Sequence, residues 1–238
     1  MTSDAAGSRP VRARLIRHAQ ASWGSADYDC LSPLGQIQAR HLGRWLAADA
    51  TQYALVVRGD LRRHAQTFDA IDSAFGAAGR RLPELRIDPG WNEFDHVPIL
   101  AEYARTFRDD PNLPLARDGD TPAQRAVLAA AVRAWHEGHF DGCVPETWAQ
   151  FGQRIAAARA RIGDDAGSVL VVTSGGAMWR CAQAALDLDD AGLMRLGLAL
   201  RNTGISEFER NGGRWNMLSW NELPHLAADD HAGLHTHY

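Results

Sequence analysis

The chain has 238 residues, 45% of them hydrophobic and 23% charged, a globular balance that supplies a sizeable core and argues against disorder throughout. A formal net charge of −4 excludes a global attraction to nucleic acid or anionic lipid, so positive potential has to be local, built from a few arginines around a pocket for a small anion. Cys30, Cys143 and Cys181 are widely spaced without a CxxC pair, which argues against a disulfide framework and a structural zinc. No run approaches the roughly 20 apolar residues of a membrane span, and the first ten residues lack a signal-peptide core, so a cytoplasmic protein is expected.

Residues 1–10 read as a disordered N-terminal tail. Residues 11–17 read as a first strand, and 21–31 as a loop. Ser32-Pro33 then has the form of a helix N-cap followed by first-turn proline, and Leu34, Ile37, Leu42, Trp45 and Leu46 give one apolar helical face through about residue 48. Tyr53 to Val57 is a short apolar run suited to a strand buried on both faces; Leu61, Ala65, Phe68, Ile71 and Phe75 mark a second amphipathic helix. Leu85 to Ile87 forms a further short strand. From about 90 to 142 the pattern breaks, with Pro98, Pro111, Pro114 and Pro122 and a helix from about Pro122 to Glu137, and this stretch is expected as an inserted helical lid. A helix over 148–162 leads into the strand 169–173, and a helix over 176–188 follows it. Ile205 to Glu209 and Trp215 to Ser219 flank Asn211-Gly212-Gly213, a β-hairpin signal. Strands alternating with helices predict a three-layer α/β fold, a mostly parallel sheet flanked by helices, as one domain over 11–225. Residues 226–238 read as a polar C-terminal tail, and His225, His231, His235 and His237 as part of it rather than as metal ligands.

Parallel sheets bind ligands at the carboxyl ends of their strands, and Arg17-His18, Gly59 to Arg63, and Ser174-Gly175-Gly176 all fall there. A phosphoryl group in transfer spreads negative charge over its outer oxygens. It needs fixed donors, a nucleophile in line and an acid for the leaving oxygen. Arg17 and Arg63 suit the clamp, since a guanidinium stays charged and donates in pairs. His18, as neutral imidazole, suits the nucleophile. Glu93, in Trp91-Asn92-Glu93-Phe94-Asp95-His96, is placed among aromatics for the acid, with Asp95 competing for that role. The glycines after Ser174 let backbone N–H groups approach an anion.

Five segments in order resemble the histidine phosphatase superfamily, also called phosphoglycerate mutase-like. They are Leu15 to Ser22; Leu31-Ser32-Pro33-Leu34-Gly35 with Gln38-Ala39 and Leu42-Gly43; Gly59 to Thr67; Glu93; and 169–176. The resemblance implies a phosphoglycerate mutase-like fold with His18 as the phosphorylated nucleophile, Arg17 and Arg63 as phosphate ligands, and Glu93 as proton donor. It implies no metal and no other cofactor. Where the family has glycine after the nucleophile, this chain has Ala19; Thr and Asn of the first motif correspond to Ala21 and Gly24, with Gln20 and Ser22 as substitute donors. The family's second histidine corresponds to Ser174, which together with Gly175 is assigned to phosphate, and His96 or His64 is a substitute imidazole. Losing one preorganised donor typically costs about 2.7–4 kcal/mol of transition-state stabilisation.

The expected activity is a phosphohistidine-dependent phosphatase acting on a small phosphomonoester or a phosphoprotein. The expected partners are that substrate and phosphate, with no nucleic acid and no membrane, and a homodimer stays open. Trp23 and Trp91 are candidate pocket walls. A non-catalytic or weakly active phospholigand-binding regulatory module is the alternative from another class, and a phosphomutase ranks below both.

Overall fold

Residues 10–22, 28–164, 166–197 and 200–237 are described by a computed structural model. All but the last residue of the N-terminal tail, together with Trp23 and Gly24, lie outside the described residues. The strands Val11–Arg17 (β1), Leu55–Arg58 (β2), Leu85–Ile87 (β3), Ser168–Thr173 (β4), Ile205–Asn211 (β5) and Arg214–Glu222 (β6) make one sheet in the order β3-β2-β4-β1-β5-β6. The first four run parallel, and the β5–β6 hairpin is antiparallel. Val169 to Val172 are buried without exception, as a central strand covered on both faces requires. The sheet is therefore mixed, mostly parallel and flanked by helices.

Helices Pro33–Ala48 (α1) and Arg62–Ala77 (α2) follow β1 and β2. Their Leu42, Leu46, Phe68, Ile71 and Phe75 pack with Ile16, Val56, Leu170 and Val172 of the sheet, the apolar face that the helical spacing predicted. Ser32 caps α1 by accepting from the Gly35 amide at 3.0 Å, with Pro33 in the first turn. Gly35 is required there because a side chain would overlap the Gln20 carbonyl, so the loop after β1 rests directly on the helix start. Arg17 pairs with Thr173 and Arg58 with Val172, which brings the carboxyl ends of β1, β4 and β2 level.

The chain divides into two compact units, residues 1–93 with 155–238, and Phe94–Arg154. The second unit differs in extent from the insertion expected at about 90–142. It is built on His96–Thr106 (α3), Asn112–Arg117 (α4), Thr121–His136 (α5) and the start of Trp148–Ala160 (α6). Its own core contains Phe94, Trp135, Trp148 and Phe151 in mutual ring contact. The indole N–H of Trp135 donates to the Glu146 carbonyl at 2.9 Å. Neither α3 nor α4 was expected, because Pro98 and Pro114 read as breakers. Both fall in first turns, where the missing N–H has no helical partner to lose.

In the first unit β4 runs into Gly175–Leu186 (α7) and then Asp190–Gly197 (α8), the latter also unexpected. Gly212 and Gly213 have φ of 58° and 80°, the paired positive values of a type I′ hairpin turn. The segment expected as a polar tail is folded against the sheet unit through two 3-10 turns, Pro224–Leu226 and Asp229–Leu234. Gln38 donates to the Leu234 carbonyl at 2.7 Å and to Thr236 Oγ1 at 2.8 Å, and Asn202 N donates to the Thr236 carbonyl at 2.8 Å. Burial pushes the His225 imidazole down to about 3, helped by His41, His235 and His231. The segment is thus held by buried polar partners that a composition-based reading does not reveal. Among the described residues no helix is long and apolar enough to cross a membrane.

Candidate active site

His18 follows the last residue of β1, with its amide donating to the Thr173 carbonyl at 2.9 Å. It is 5% exposed. Its Nδ1 lies 2.8 Å from the Ala19 carbonyl, which can only accept, so Nδ1 carries the proton. Nε2 then presents its lone pair and accepts from Arg63 Nε at 3.1 Å. Burial holds the imidazole well below the ordinary histidine value, and Arg63, His64 and Arg17 add to the effect. The structure therefore fixes a neutral imidazole in one tautomer.

Arg63 is buried in the first turn of α2 and held from three directions. Its Nη1 donates to Asp29 Oδ1 at 2.6 Å, and its guanidinium stands 5.4 Å over the Tyr28 ring. Asp29 also accepts from the Arg62 amide at 2.8 Å, capping the helix with an anion. Thr67 Oγ1 donates to the Arg63 carbonyl at 2.7 Å and accepts from Ala19 N at 3.1 Å, tying helix to loop. Burial raises the Tyr28 hydroxyl above its usual range, and the charges it senses include Arg63, Glu93, Arg17 and Asp29. Tyr28 and Asp29 were missed by the sequence reading, since they sit in a loop without periodicity or motif.

Ser174, wholly buried, starts α7 next to Gly175. Its Oγ lies 2.6 Å from His64 Nε2, and the His64 and His18 ring centroids are 5.6 Å apart. Burial, then Arg63 and Arg58, keep His64 well below the ordinary histidine value. Glu93 Oε2 accepts from the Gly176 amide at 3.1 Å, which places this carboxylate at the start of α7. One helix terminus thus collects Ser174, Gly175 and Glu93.

Arg17 Nη1 donates to the His237 carbonyl at 2.8 Å and to the Leu200 carbonyl. The His18 carbonyl accepts from Thr203 N and Asn202 Nδ2, both at 3.3 Å. Gln38, fully buried, accepts from Gln20 N at 2.9 Å, and so joins the loop after the nucleophile to the C-terminal segment. Gln20 Oε1 accepts from Ser32 Oγ at 2.7 Å, and Ser22 N donates to the Cys30 carbonyl at 2.8 Å. Asp95 and His96 belong to the second unit, where Asp95 caps α3 by accepting from Val97 N at 3.0 Å and His96 opens the helix. Trp91 is 1% exposed, and its carbonyl accepts from Thr173 Oγ1 at 2.6 Å; it is core rather than a pocket wall.

Residues 14–223 match the model of the histidine phosphatase superfamily (branch 1). No curated protein matches the sequence. Among solved structures, a phosphoglycerate mutase from Bacillus anthracis is 17% identical with a TM-score of 0.63, covering 92% of this chain and 96% of that one. A phosphoserine phosphatase mutant from Entamoeba histolytica in complex with phosphoserine is 17% identical at a TM-score of 0.61, covering 91% and 99%. A mycobacterial glucosyl-3-phosphoglycerate phosphatase in complex with inorganic phosphate is 20% identical at 0.58, covering 91% and 99%. At these identities the likeness is one of fold.

Proposed function

The chain belongs to the histidine phosphatase superfamily, and on that premise we propose that it is a phosphatase working through a phosphohistidine at His18. The observation that carries this reading is the fixed tautomer of His18, with Nδ1 on the Ala19 carbonyl and the Nε2 lone pair facing Arg63. A neutral, desolvated imidazole with its lone pair beside a guanidinium is ready to attack an anion that the same guanidinium attracts.

In the first step Nε2 bonds to phosphorus, and the bond from phosphorus to the leaving oxygen breaks with its electron pair going to that oxygen. Glu93 supplies the proton. In the second step water attacks the phosphohistidine, its proton passes to the carboxylate, and the phosphorus–nitrogen bond returns its pair to Nε2. Arg17, Arg63, Ser174 and the Gly175 amide hold the phosphoryl oxygens, with Gln20 and Ser22 as auxiliary donors. The substrate is a small phosphomonoester or a phosphoprotein, and a phosphomutase is the less favoured variant.

The test is phosphate release from an aryl phosphate by the wild type and by His18→Ala, with acid-labile labelling of His18. Equal turnover by the two proteins would overturn the reading. A non-catalytic phospholigand-binding module is the second reading, supported by serine at 174 where the family has its second histidine and by the altered first motif around Ala19 and Ala21. Tight binding of phosphorylated compounds without label at His18 would support it.

A further inference from the structure

Ser174 has the extended backbone of a helix N-cap, with φ −118° and ψ 170°, yet its side chain makes no capping bond to α7. A serine at that position normally turns its oxygen onto the second or third amide of its own helix. Here the oxygen meets His64 Nε2 at 2.6 Å instead, between two residues that are both completely buried. The other ring nitrogen of His64, Nδ1, is buried without a hydrogen-bond partner among the described residues. It packs on the Gly59 backbone, where a side chain on Gly59 would overlap it.

A neutral imidazole has one N–H. On Nδ1 that hydrogen would be an orphaned buried donor, the rarest kind of unsatisfied group; on Nε2 it is paired. Ser174 Oγ therefore accepts, and its own hydrogen is left to point elsewhere. We propose that His64 is a positioning residue for phosphoryl transfer, donating from Nε2 to Ser174 Oγ and so turning the serine hydroxyl proton toward the phosphoryl group received by His18. The 5.6 Å separation of the two rings puts this pair beside the nucleophile. Glycine at 59, histidine at 64 and serine at 174 then form one unit: the first makes room for the ring, the ring orients the hydroxyl, and the hydroxyl meets the substrate. The proposal rests on the phosphatase reading above.

The direct readout is the nitrogen-15 spectrum of the histidine rings in the full-length protein. A proton on Nε2 of His64 is expected, and a proton on Nδ1 overturns the proposal. In kinetics with an aryl phosphate, His64→Ala and Ser174→Ala are each expected to lower kcat about 100-fold with little change in KM, the scale of one lost donor. The double variant is expected to lose no more than either single, whereas losses that multiply overturn the pair. His64→Gln retains an N–H able to reach Oγ and is expected to recover at least about tenfold over His64→Ala; a variant as slow as His64→Ala overturns the orienting role. Failure of the underlying reading is distinguishable. If the wild type and His18→Ala turn over alike, the phosphatase reading falls. His64 is then judged on its tautomer and on calorimetric titration with inorganic phosphate, where His64→Ala is expected to weaken binding as much as Ser174→Ala does, and unchanged binding overturns it.

Discussion

Acidification from pH 7.5 to 5 is expected to destabilise this protein steeply through His18, His64 and His225, which are 5%, 0% and 6% exposed. All three are held below the ordinary histidine value, first by burial, and His225 reaches about 3. The unfolded chain takes up protons on these residues near pH 6.5, while the native state does not until its lower values are reached. Stability is therefore fully present above about pH 6.5 and is lost as pH falls below it. His225, held down to about 3, contributes about 1.36 kcal/mol per pH unit in that interval, or about 2 kcal/mol between pH 6.5 and pH 5, and His18 and His64 act in the same direction. Asp49 and Asp88, whose values are lowered by desolvation-opposed bonds to Arg14 and Arg161, lose their contribution only below the carboxylate range and stay outside this window. Urea unfolding at pH 7.5, 6.5, 5.5 and 5.0 measures the slope, and His225→Gln is expected to reduce it. A free energy constant within about 1 kcal/mol over this range would refute the burial argument.

Arg63→Lys removes the Nε–H on His18 and the Nη1–H on Asp29 Oδ1, and a fall in kcat of about 10²–10³ is expected in steady-state assays, with the thermal midpoint little changed. Asp29→Ala frees one side of that guanidinium; kcat is expected to drop about tenfold, with a smaller effect on substrate KM. Gln38→Ala strands the Gln20 amide and Thr236, and a loss of about 2–4 kcal/mol in urea unfolding is expected. Gly35→Ala pushes a methyl group into the Gln20 carbonyl, and denaturation should show about 1–3 kcal/mol of destabilisation together with lowered activity, since the displaced loop carries the nucleophile.

The architecture was legible where a local rule had one structural solution. Ser32-Pro33 marked a helix start, Asn211-Gly212-Gly213 a hairpin, and Val169 to Val172 a central strand, because cap, turn and double-sided burial each leave a short-range signature. Pro98 and Pro114 misled because a proline that ends one helix is chemically the same as one that begins the next. His18 could be singled out from its strand end. Its working tautomer could not, since that depends on how the folded ring meets the Ala19 carbonyl on one side and Arg63, 45 positions away, on the other. Glu93 met Gly176 across 83 positions, His64 met Ser174 across 110, and Arg17 met His237 across 220. Such contacts leave no periodicity, and the loop residues Tyr28 and Asp29 stayed unseen for the same reason.

The place of β4 has a consequence for how activity is acquired. It lies between β1 and β2, yet it comes after both and after the whole of Phe94–Arg154 in the chain. Translation delivers His18, Arg17 and Arg63 early, but β1 and β2 have no direct pairing to hold them in register. Insertion of β4 is a long-range, entropically costly step, and it is the one that levels the strand ends. Nascent chains stalled before Ser168 would carry the nucleophile and both arginines without the geometry that lets them act together.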